Sequence, residues 1–328
     1  AIDPDRDPAD LDDAWNLVRL ALGSLAGETW RIKHAFKNLE EAWELLLLPE
    51  GMTWWDQYIK TQTYDTFRQA IPFRPNTTTK TLDVAMIGDL DLLSQALRLS
   101  TIASTLTAFL GLQVSIRPDP MRIGPWAQIR TSSDGREQAG AHFLLTNLES
   151  SSDMRSTCTV GLTAMDIYPP RRYDYVTGMA DTAHRVGIYS IARYFDRRTA
   201  SGAGDPTWEE FDMDPQTALS KCMTKVLARE SLKLCGMREC YLLRCLMNPL
   251  PPYSTPEAVA LLPLKLCCIC LRKLQWAIQA DLLDFFQQMP DSLIDWFPEE
   301  AVWVKERMKA FGLPTYKCLS DPVPPGRR

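Results

Sequence analysis

Histidine is scarce in this chain of 328 residues, which contains only His34, His142 and His184. Neutral imidazole is the commonest side-chain ligand of protein metal sites, and it also activates catalytic cysteines. Because no histidine follows position 184, neither a histidine-based zinc site nor a Cys–His catalytic pair is expected in the last 144 residues. His184 itself is predicted to be a partly exposed residue of an edge strand.

Long apolar runs and a charge excess are also missing. No apolar run approaches the ~18 residues that a membrane span needs. The formal charge of −5, from 36 basic and 41 acidic residues, gives no reason to expect binding to nucleic acid or to an anionic membrane. The first residues show no basic segment followed by an apolar one, so no secretory signal is predicted there. We expect an intracellular protein, cytoplasmic or nuclear, with the 45% hydrophobic content of an ordinary globular core.

Cysteine is absent from the first 157 residues, yet seven of the nine cysteines lie between positions 222 and 270. An odd number of clustered cysteines without a secretory signal indicates metal binding in a reducing compartment rather than disulfides.

Two of the cysteine pairs have the spacing of zinc ligands. Cys240 and Cys245 are separated by four residues, and Cys267 and Cys270 by two. This pattern predicts one structural zinc held by four thiolates. Cys268 competes with Cys267 as the third ligand, and packed reduced thiols are the alternative to a metal site.

Hydrophobic periodicity predicts an α/β protein, because strands and helices alternate after a helical N-terminal region. Helices are predicted at 10–26, 33–48, 54–70, 90–110, from Asp214-Pro215 onward, and at 271–287 and 299–310. Strands are predicted at 82–87, 113–116, 141–145, 159–165 and, at a sheet edge, 184–195. The segments 71–80 and 201–212 are predicted to be connectors.

A degenerate metal motif lies on the helix that follows Asp214. The run Arg229-Glu230-x-x-Lys233-x-x-Gly236-x-x-Glu239 has the spacing of the H-E-x-x-H-x-x-G-x-x-H zinc site, with each histidine replaced. Arginine and, ordinarily, lysine are protonated at neutral pH, so both repel a dication. The two carboxylates that remain do not complete a tetrahedral site, and we expect no catalytic zinc.

The charges of this motif allow two structural interpretations. Arg229 and Lys233 could form an internal ion-pair cluster with Glu230 and Glu239 in the place of a metal, although desolvation offsets much of the attraction in such a cluster. Alternatively, the four side chains could be solvated on an open helix face.

The order of these motifs resembles that of the archaemetzincins, a family of metzincin-type zinc peptidases. The degenerate motif is followed by Met247 and then by the second cysteine pair, and three other blocks are similar to family segments. These blocks are VGLTAMDIYP at 160–169, VGIYSIARYF at 186–195 and CLRKLQ at 270–275. The resemblance implies a metzincin-like or zincin-like α/β domain over 81–290 with a mixed, mostly parallel sheet and the zinc knuckle. A helical N-terminal region over 1–80 and a C-terminal helix with a mobile tail over 291–328 complete the predicted organisation.

The resemblance also implies residue roles. It assigns Arg229, Lys233 and Glu239 to the three catalytic-zinc positions, Glu230 to the general-base position, now vestigial, and Met247 to the methionine turn beneath the metal. The activity that the family implies is zinc-dependent, aminopeptidase-like hydrolysis of peptides inside the cell.

Three functions follow from these observations. The leading hypothesis is an inactive peptidase that retains one structural zinc and binds a peptide or protein, because strand pairing at a sheet edge needs only backbone groups. The second is an active peptidase with unorthodox ligands or a residue supplied by a partner. The third is a structural zinc protein whose function lies in residues 1–80.

Overall fold

The computed structural model describes residues 8–70, 74–75, 79–153, 155–170, 173–194, 214–250, 256–279 and 282–310. The predicted connector at 201–212 and the predicted C-terminal tail lie outside these residues. Among the described residues, no helix combines the length and the apolar character needed to cross a bilayer.

A five-stranded sheet forms the centre of the molecule. Its strands are β1 (Thr81–Ile87), β2 (Gln113–Ile116), β5 (Cys158–Thr163), β7 (Gly178–Asp181) and β8 (Val186–Ser190), and they lie in the order β2-β1-β5-β8-β7. All neighbours are parallel except β7, which runs antiparallel to β8 and forms one edge of the sheet, opposite β2. Every residue of β5 and β8 is buried, as is typical of parallel strands covered on both faces. The predicted mixed, mostly parallel α/β sheet is confirmed.

A smaller sheet and the helices surround the central sheet. The smaller sheet consists of β3 (Arg130–Thr131), β4 (Glu137–Gly140) and β6 (Asp166–Tyr168). The helices are α1 (Pro8–Leu22), α2 (Trp30–Ala35), α3 (Leu39–Ala42), α4 (Trp54–Lys60), α5 (Tyr64–Ala70), α6 (Leu90–Ala96), α7 (Leu99–Leu110), α8 (Ala141–Ser150), α9 (Pro215–Leu234), α10 (Pro256–Ala260), α11 (Cys268–Ile278), α12 (Leu282–Leu293) and α13 (Pro298–Ala310). Short 3-10 turns occupy Pro125–Ala127 and Ala192–Tyr194.

The long helix α9 positions the degenerate motif. The Asp214 carboxylate accepts a hydrogen bond from the Thr217 amide at 3.0 Å, and Pro215 occupies the first helical position, as the sequence predicts. The helix packs against α7 and β5. Its last two turns carry Arg229, Glu230 and Lys233 of the degenerate motif.

Four predicted helices are in fact interrupted. The helix predicted at 33–48 stops twice, because Asn38 has a left-handed φ of 53° and residues 44–46 are extended. Leu45 forms an antiparallel bridge with Leu243, so tertiary pairing overrides helix propensity here. The segments predicted as single helices at 54–70, 90–110 and 271–287 are each split into two.

Two strand predictions are also wrong. Residues 141–145 belong to α8, where Ala141, Leu144 and Leu148 are buried at helical spacing; a short apolar run does not distinguish a strand from a buried helix. The strand predicted at 184–195 begins at Val186 and is not at the edge, because β7 covers it. The β7 sequence GMAD lacks the β-branched residues that mark a strand.

The N-terminal helices share one hydrophobic core with the central sheet and with the segments that contain the clustered cysteines. The Trp43 indole donates to the Leu266 carbonyl at 3.1 Å. The Arg272 guanidinium, on α11, donates to the carbonyls of Leu22 and Ser24. Residues 8–70 are thus packed against the cysteine-containing segments through buried hydrogen bonds as well as apolar contacts.

Candidate functional site

A cleft of about 240 Å³ lies between the edge strand β7 and helix α9. Backbone and side chains of residues 177–180 form one wall, and α9 forms the floor. The remaining lining comes from β8, the 3-10 turn Ala192–Tyr194, the segment between α9 and α10, α10 itself and the residues just after it. The lining residues are Thr177, Gly178, Met179, Ala180, Tyr189, Tyr194, Lys225, Val226, Arg229, Glu230, Lys233, Glu239, Leu250, Val259 and Leu262.

The floor of the cleft is an ion-pair cluster centred on Arg229. The Arg229 side chain is only 4% exposed, and its guanidinium donates to Glu230 Oε1 at 2.9 Å and to Glu239 Oε1 at 3.0 Å. It also donates to the Asn248 carbonyl at 3.0 Å. Of the two interpretations of the charged motif, the internal cluster matches the structure, and a solvated helix face is wrong for Arg229.

The two carboxylates of the cluster each have a second donor. The Lys233 ammonium lies 3.2 Å from Glu230 Oε1, and the Tyr241 hydroxyl donates to Glu239 Oε2 at 2.9 Å. Among the described residues, the groups of three ligand-type side chains that lie close enough to share a metal include neither carboxylate. Fixed cations beside these carboxylates oppose the approach of a dication.

Four cysteines converge in the core below this cluster. The Sγ atoms of Cys240, Cys267 and Cys270 all lie within 4.8 Å of one another, with 3.6 Å between Cys240 and Cys267. A tetrahedral zinc with Zn–S bonds of about 2.3 Å requires sulfur atoms about 3.8 Å apart, so the spacing fits this metal. The Cys245 thiol contacts that of Cys240, and hydrogen bonds with Cys245, Cys267 and Cys270 lower the pKa of the Cys240 thiol. Burial and the contacts within the cluster raise the pKa of the Cys267 thiol, and hydrogen bonds with Cys240 and Cys245, together with burial, raise the pKa of the Cys270 thiol. Thiolate character in the cluster therefore lies on Cys240.

Backbone amides point at these sulfur atoms, as the charged thiolates of a metal site require. Cys245 Sγ accepts from the amides of Met247 at 3.4 Å and Cys267 at 3.3 Å. Cys267 Sγ accepts from the Cys270 amide at 3.4 Å. Cys268 is fully buried outside the cluster, and burial raises the pKa of its thiol. Cys267, and not Cys268, is therefore the candidate for the third ligand that lies in the cluster.

Asn248 connects the cysteine cluster to the ion-pair cluster. Its side-chain oxygen accepts from the Cys245 amide and its side-chain nitrogen donates to the Cys240 carbonyl, both at 2.8 Å, while its backbone carbonyl accepts from Arg229. Met247, predicted to form a turn beneath the metal position, is fully buried immediately before it. Sequence reasoning missed Asn248, because an isolated asparagine carries no pattern that distinguishes a buried one from a surface one.

Two other cleft residues were missed for a similar reason. Lys225 and Tyr189 line the cleft with 9% and 3% exposure. Burial is the main cause that lowers the pKa of the Lys225 ammonium and raises that of the Tyr189 hydroxyl. Lys225 is four residues before Arg229, so its position on the same helix face could have been read from helical spacing.

A second group of ligand-type side chains lies on the surface. His184 Nδ1 is 2.8 Å from Asp181 Oδ2, and His184 Nε2 is 3.4 Å from Glu149 Oε1. The hydrogen bond and charge of Asp181, with the charge of Glu149, raise the pKa of His184. His184 lies in the exposed turn between β7 and β8 rather than in a strand, so that prediction is wrong. His184 is not one of the residues that line the cleft.

Comparison with known proteins identifies the relatives of this chain. No family model matches it. It is 30% identical to human archaemetzincin-1 over 198 residues, which cover 55% of this chain and 39% of the relative. It is also 30% identical to mouse archaemetzincin-2 over 174 residues, covering 48% and 46% respectively. A solved archaemetzincin from Methanopyrus kandleri superposes with a TM-score of 0.43 at 21% identity, over 63% of this chain and 99% of that one.

The fold and the site agree with the archaemetzincin resemblance of the sequence. The structure has an α/β domain with a mixed sheet, a cleft above a long helix and a cysteine cluster. The two curated relatives described above are archaemetzincins, at 30% identity over about half of this chain, and they support the resemblance of its motifs to that family. The chain spans less than half the length of either curated relative, so their activity does not transfer to it by similarity alone.

Proposed function

We propose that this protein is an inactive peptidase homologue that binds an extended peptide in the cleft between β7 and α9 and retains one structural zinc. Arg229, Lys233 and Glu239 stand at the three catalytic-zinc positions of the family, with Glu230 at the general-base position. The observation that carries this proposal is the buried Arg229 guanidinium, which is held by Glu230, Glu239 and the Asn248 carbonyl on the floor of the cleft.

The electrostatics of the floor support the loss of catalysis. A zinc-activated water requires a dication with open coordination, held by neutral or anionic ligands. Here a guanidinium makes ion pairs with both carboxylates of the motif, and Lys233 adds a second positive charge beside Glu230. Coulomb repulsion between these cations and a dication at the same place is large in a buried site.

The edge strand supports peptide binding. Among the described residues β7 pairs only with β8, so its outer edge has no strand partner there, and Gly178, Met179 and Ala180 of this strand line the cleft. An extended peptide can add to such an edge through main-chain hydrogen bonds, and its side chains then enter the adjoining cleft. This mode of binding needs no metal.

The cysteine cluster is the structural part of the proposal. Cys240, Cys245, Cys267 and Cys270 supply four sulfur ligands of the kind that zinc prefers, and the Cys240–Cys267 distance of 3.6 Å fits a tetrahedral ion. A zinc ion bound there would crosslink the segment after α9 to the start of α11.

Peptide binding and turnover by the purified chain test the proposal. We expect labelled extended peptides to bind saturably without being cleaved, and Glu230→Gln to leave the peptide unhydrolysed as in the natural sequence. Chelator-sensitive cleavage that is lost in Glu230→Gln would contradict the loss of activity.

A further inference from the structure

Three buried side chains in the cleft carry hydrogen-bond donors that the described residues do not use. Tyr189, Lys225 and Arg229 line the cleft and are 3%, 9% and 3% exposed. The Tyr189 hydroxyl and the Arg229 Nε–H have no partner among the described residues. The Lys225 ammonium donates to the Ala260 carbonyl at 2.7 Å, which engages one of its three N–H groups.

Unused buried donors are uncommon, because burying a polar group without a partner is costly. All three groups here donate: the tyrosine hydroxyl is unpaired, and the ammonium and guanidinium have no acceptor function. The chemistry of the cleft therefore matches a ligand rich in acceptors.

The charges of the cleft lining also favour an anionic ligand. Three cations line it, Lys225, Arg229 and Lys233, against two carboxylates, Glu230 and Glu239. Both carboxylates already form ion pairs with Arg229, and Glu230 also with Lys233.

Lys225 is the cation without a carboxylate partner. Within the described part of the chain its ammonium forms no ion pair. Its other neighbours are the Phe297 ring at 5.8 Å and the more distant charges of Glu299, Glu300 and Lys221. One positive charge of the lining is thus left unbalanced.

We propose that the cleft selects a peptide that presents a carboxylate, which binds the Lys225 ammonium beside Arg229 and Tyr189. This inference rests on the peptide-binding function proposed above and adds the chemical class of the ligand. An acidic side chain and a free C-terminus supply the same carboxylate. The ligand's single negative charge balances the unpaired cation, whereas a basic peptide adds to the excess.

Binding of matched peptides to the full-length chain tests this inference by fluorescence anisotropy. Four labelled peptides with the alternating sequence Ala-Val-X-Val-Ala serve as probes. Three are amidated and carry Glu, Gln or Lys at X, and the fourth carries Gln with a free C-terminal carboxylate. We expect the Glu peptide, the free-acid peptide or both to bind at least about tenfold more tightly than the amidated Gln peptide, and the difference identifies the carboxylate source.

Two variants of α9 locate the effect. Lys225→Met should abolish the preference for the carboxylate while peptide binding persists. Lys221→Met removes the same charge one turn earlier, outside the cleft lining, and should leave the preference intact. If Lys225→Met does not fold, the charge-retaining variant Lys225→Arg is measured instead. It should preserve the preference for the carboxylate, and loss of that preference would overturn the assignment of the carboxylate to the charge at position 225.

The outcomes separate this inference from the proposed function. Equal affinity for the Glu, Gln, Lys and free-acid peptides would overturn the inference and leave peptide binding standing. Failure of all four peptides to bind would overturn both. A preference that survives Lys225→Met would also overturn the assignment of the carboxylate to Lys225.

Discussion

Replacing Arg229 with methionine tests the ion-pair cluster directly. The substitution keeps an unbranched side chain but removes three hydrogen bonds, to Glu230, Glu239 and the Asn248 carbonyl. Removing one partner of a buried ion pair costs about 3–5 kcal/mol. Because Glu230 and Glu239 are 18% and 32% exposed and each keeps a second donor, we expect the lower end, about 3 kcal/mol.

Thermal unfolding of the purified chain measures this loss. For a chain of this size, about 3 kcal/mol corresponds to a fall in Tm of about 5 °C. Arg238→Met is the matched control, because Arg238 is exposed and the same charge change there should cost less than about 0.5 kcal/mol. Equal, small changes in both variants would refute a buried cluster at Arg229.

Three further predictions concern the metal sites and the pH dependence of stability. Cys240→Ala should release the zinc and lower Tm, whereas Cys222→Ala, which removes a buried thiol outside the cluster, should retain the metal; elemental analysis separates the two. Restoring histidine at the three replaced ligand positions together should create a second zinc site, and an unchanged metal content would contradict the assignment of these positions. The hydrogen bond from Ser132, with the hydrogen bond and charge of Arg193, holds the pKa of Asp134 well below its usual value. Its stabilisation is therefore present above pH about 4 and fades as pH falls further, and the difference in Tm between the natural chain and Asp134→Asn should shrink below that pH.

The sequence predicted the parts of the fold that depend on local pattern. Apolar runs at 82–87 and 159–165 located β1 and β5, and the Asp214-Pro215 start located α9. Elements fixed by distant partners were missed. The extended segment at 44–46 exists because it pairs with residues 242–244, and no property of 33–48 alone indicates that pairing.

In the candidate site, too, the sequence predicted the features that depend on local spacing and missed those that depend on distant segments. Fixed spacing placed the cysteines and the residues 229–239 in one region, and the structure brings each set together. Spacing alone left open whether Arg229 is solvated, because burial depends on Asn248, Tyr241 and the sheet edge, which come from other segments. The choice of Cys267 over Cys268 likewise depends on the direction of the first turn of α11.

The zinc content of the purified chain is the decisive measurement, because the four-thiolate site should hold an ion and the cationic floor of the cleft should hold none. We predict one zinc per chain, retained in Arg229→Met and absent from Cys240→Ala. Two zinc ions per chain, or one that survives Cys240→Ala, would contradict the account.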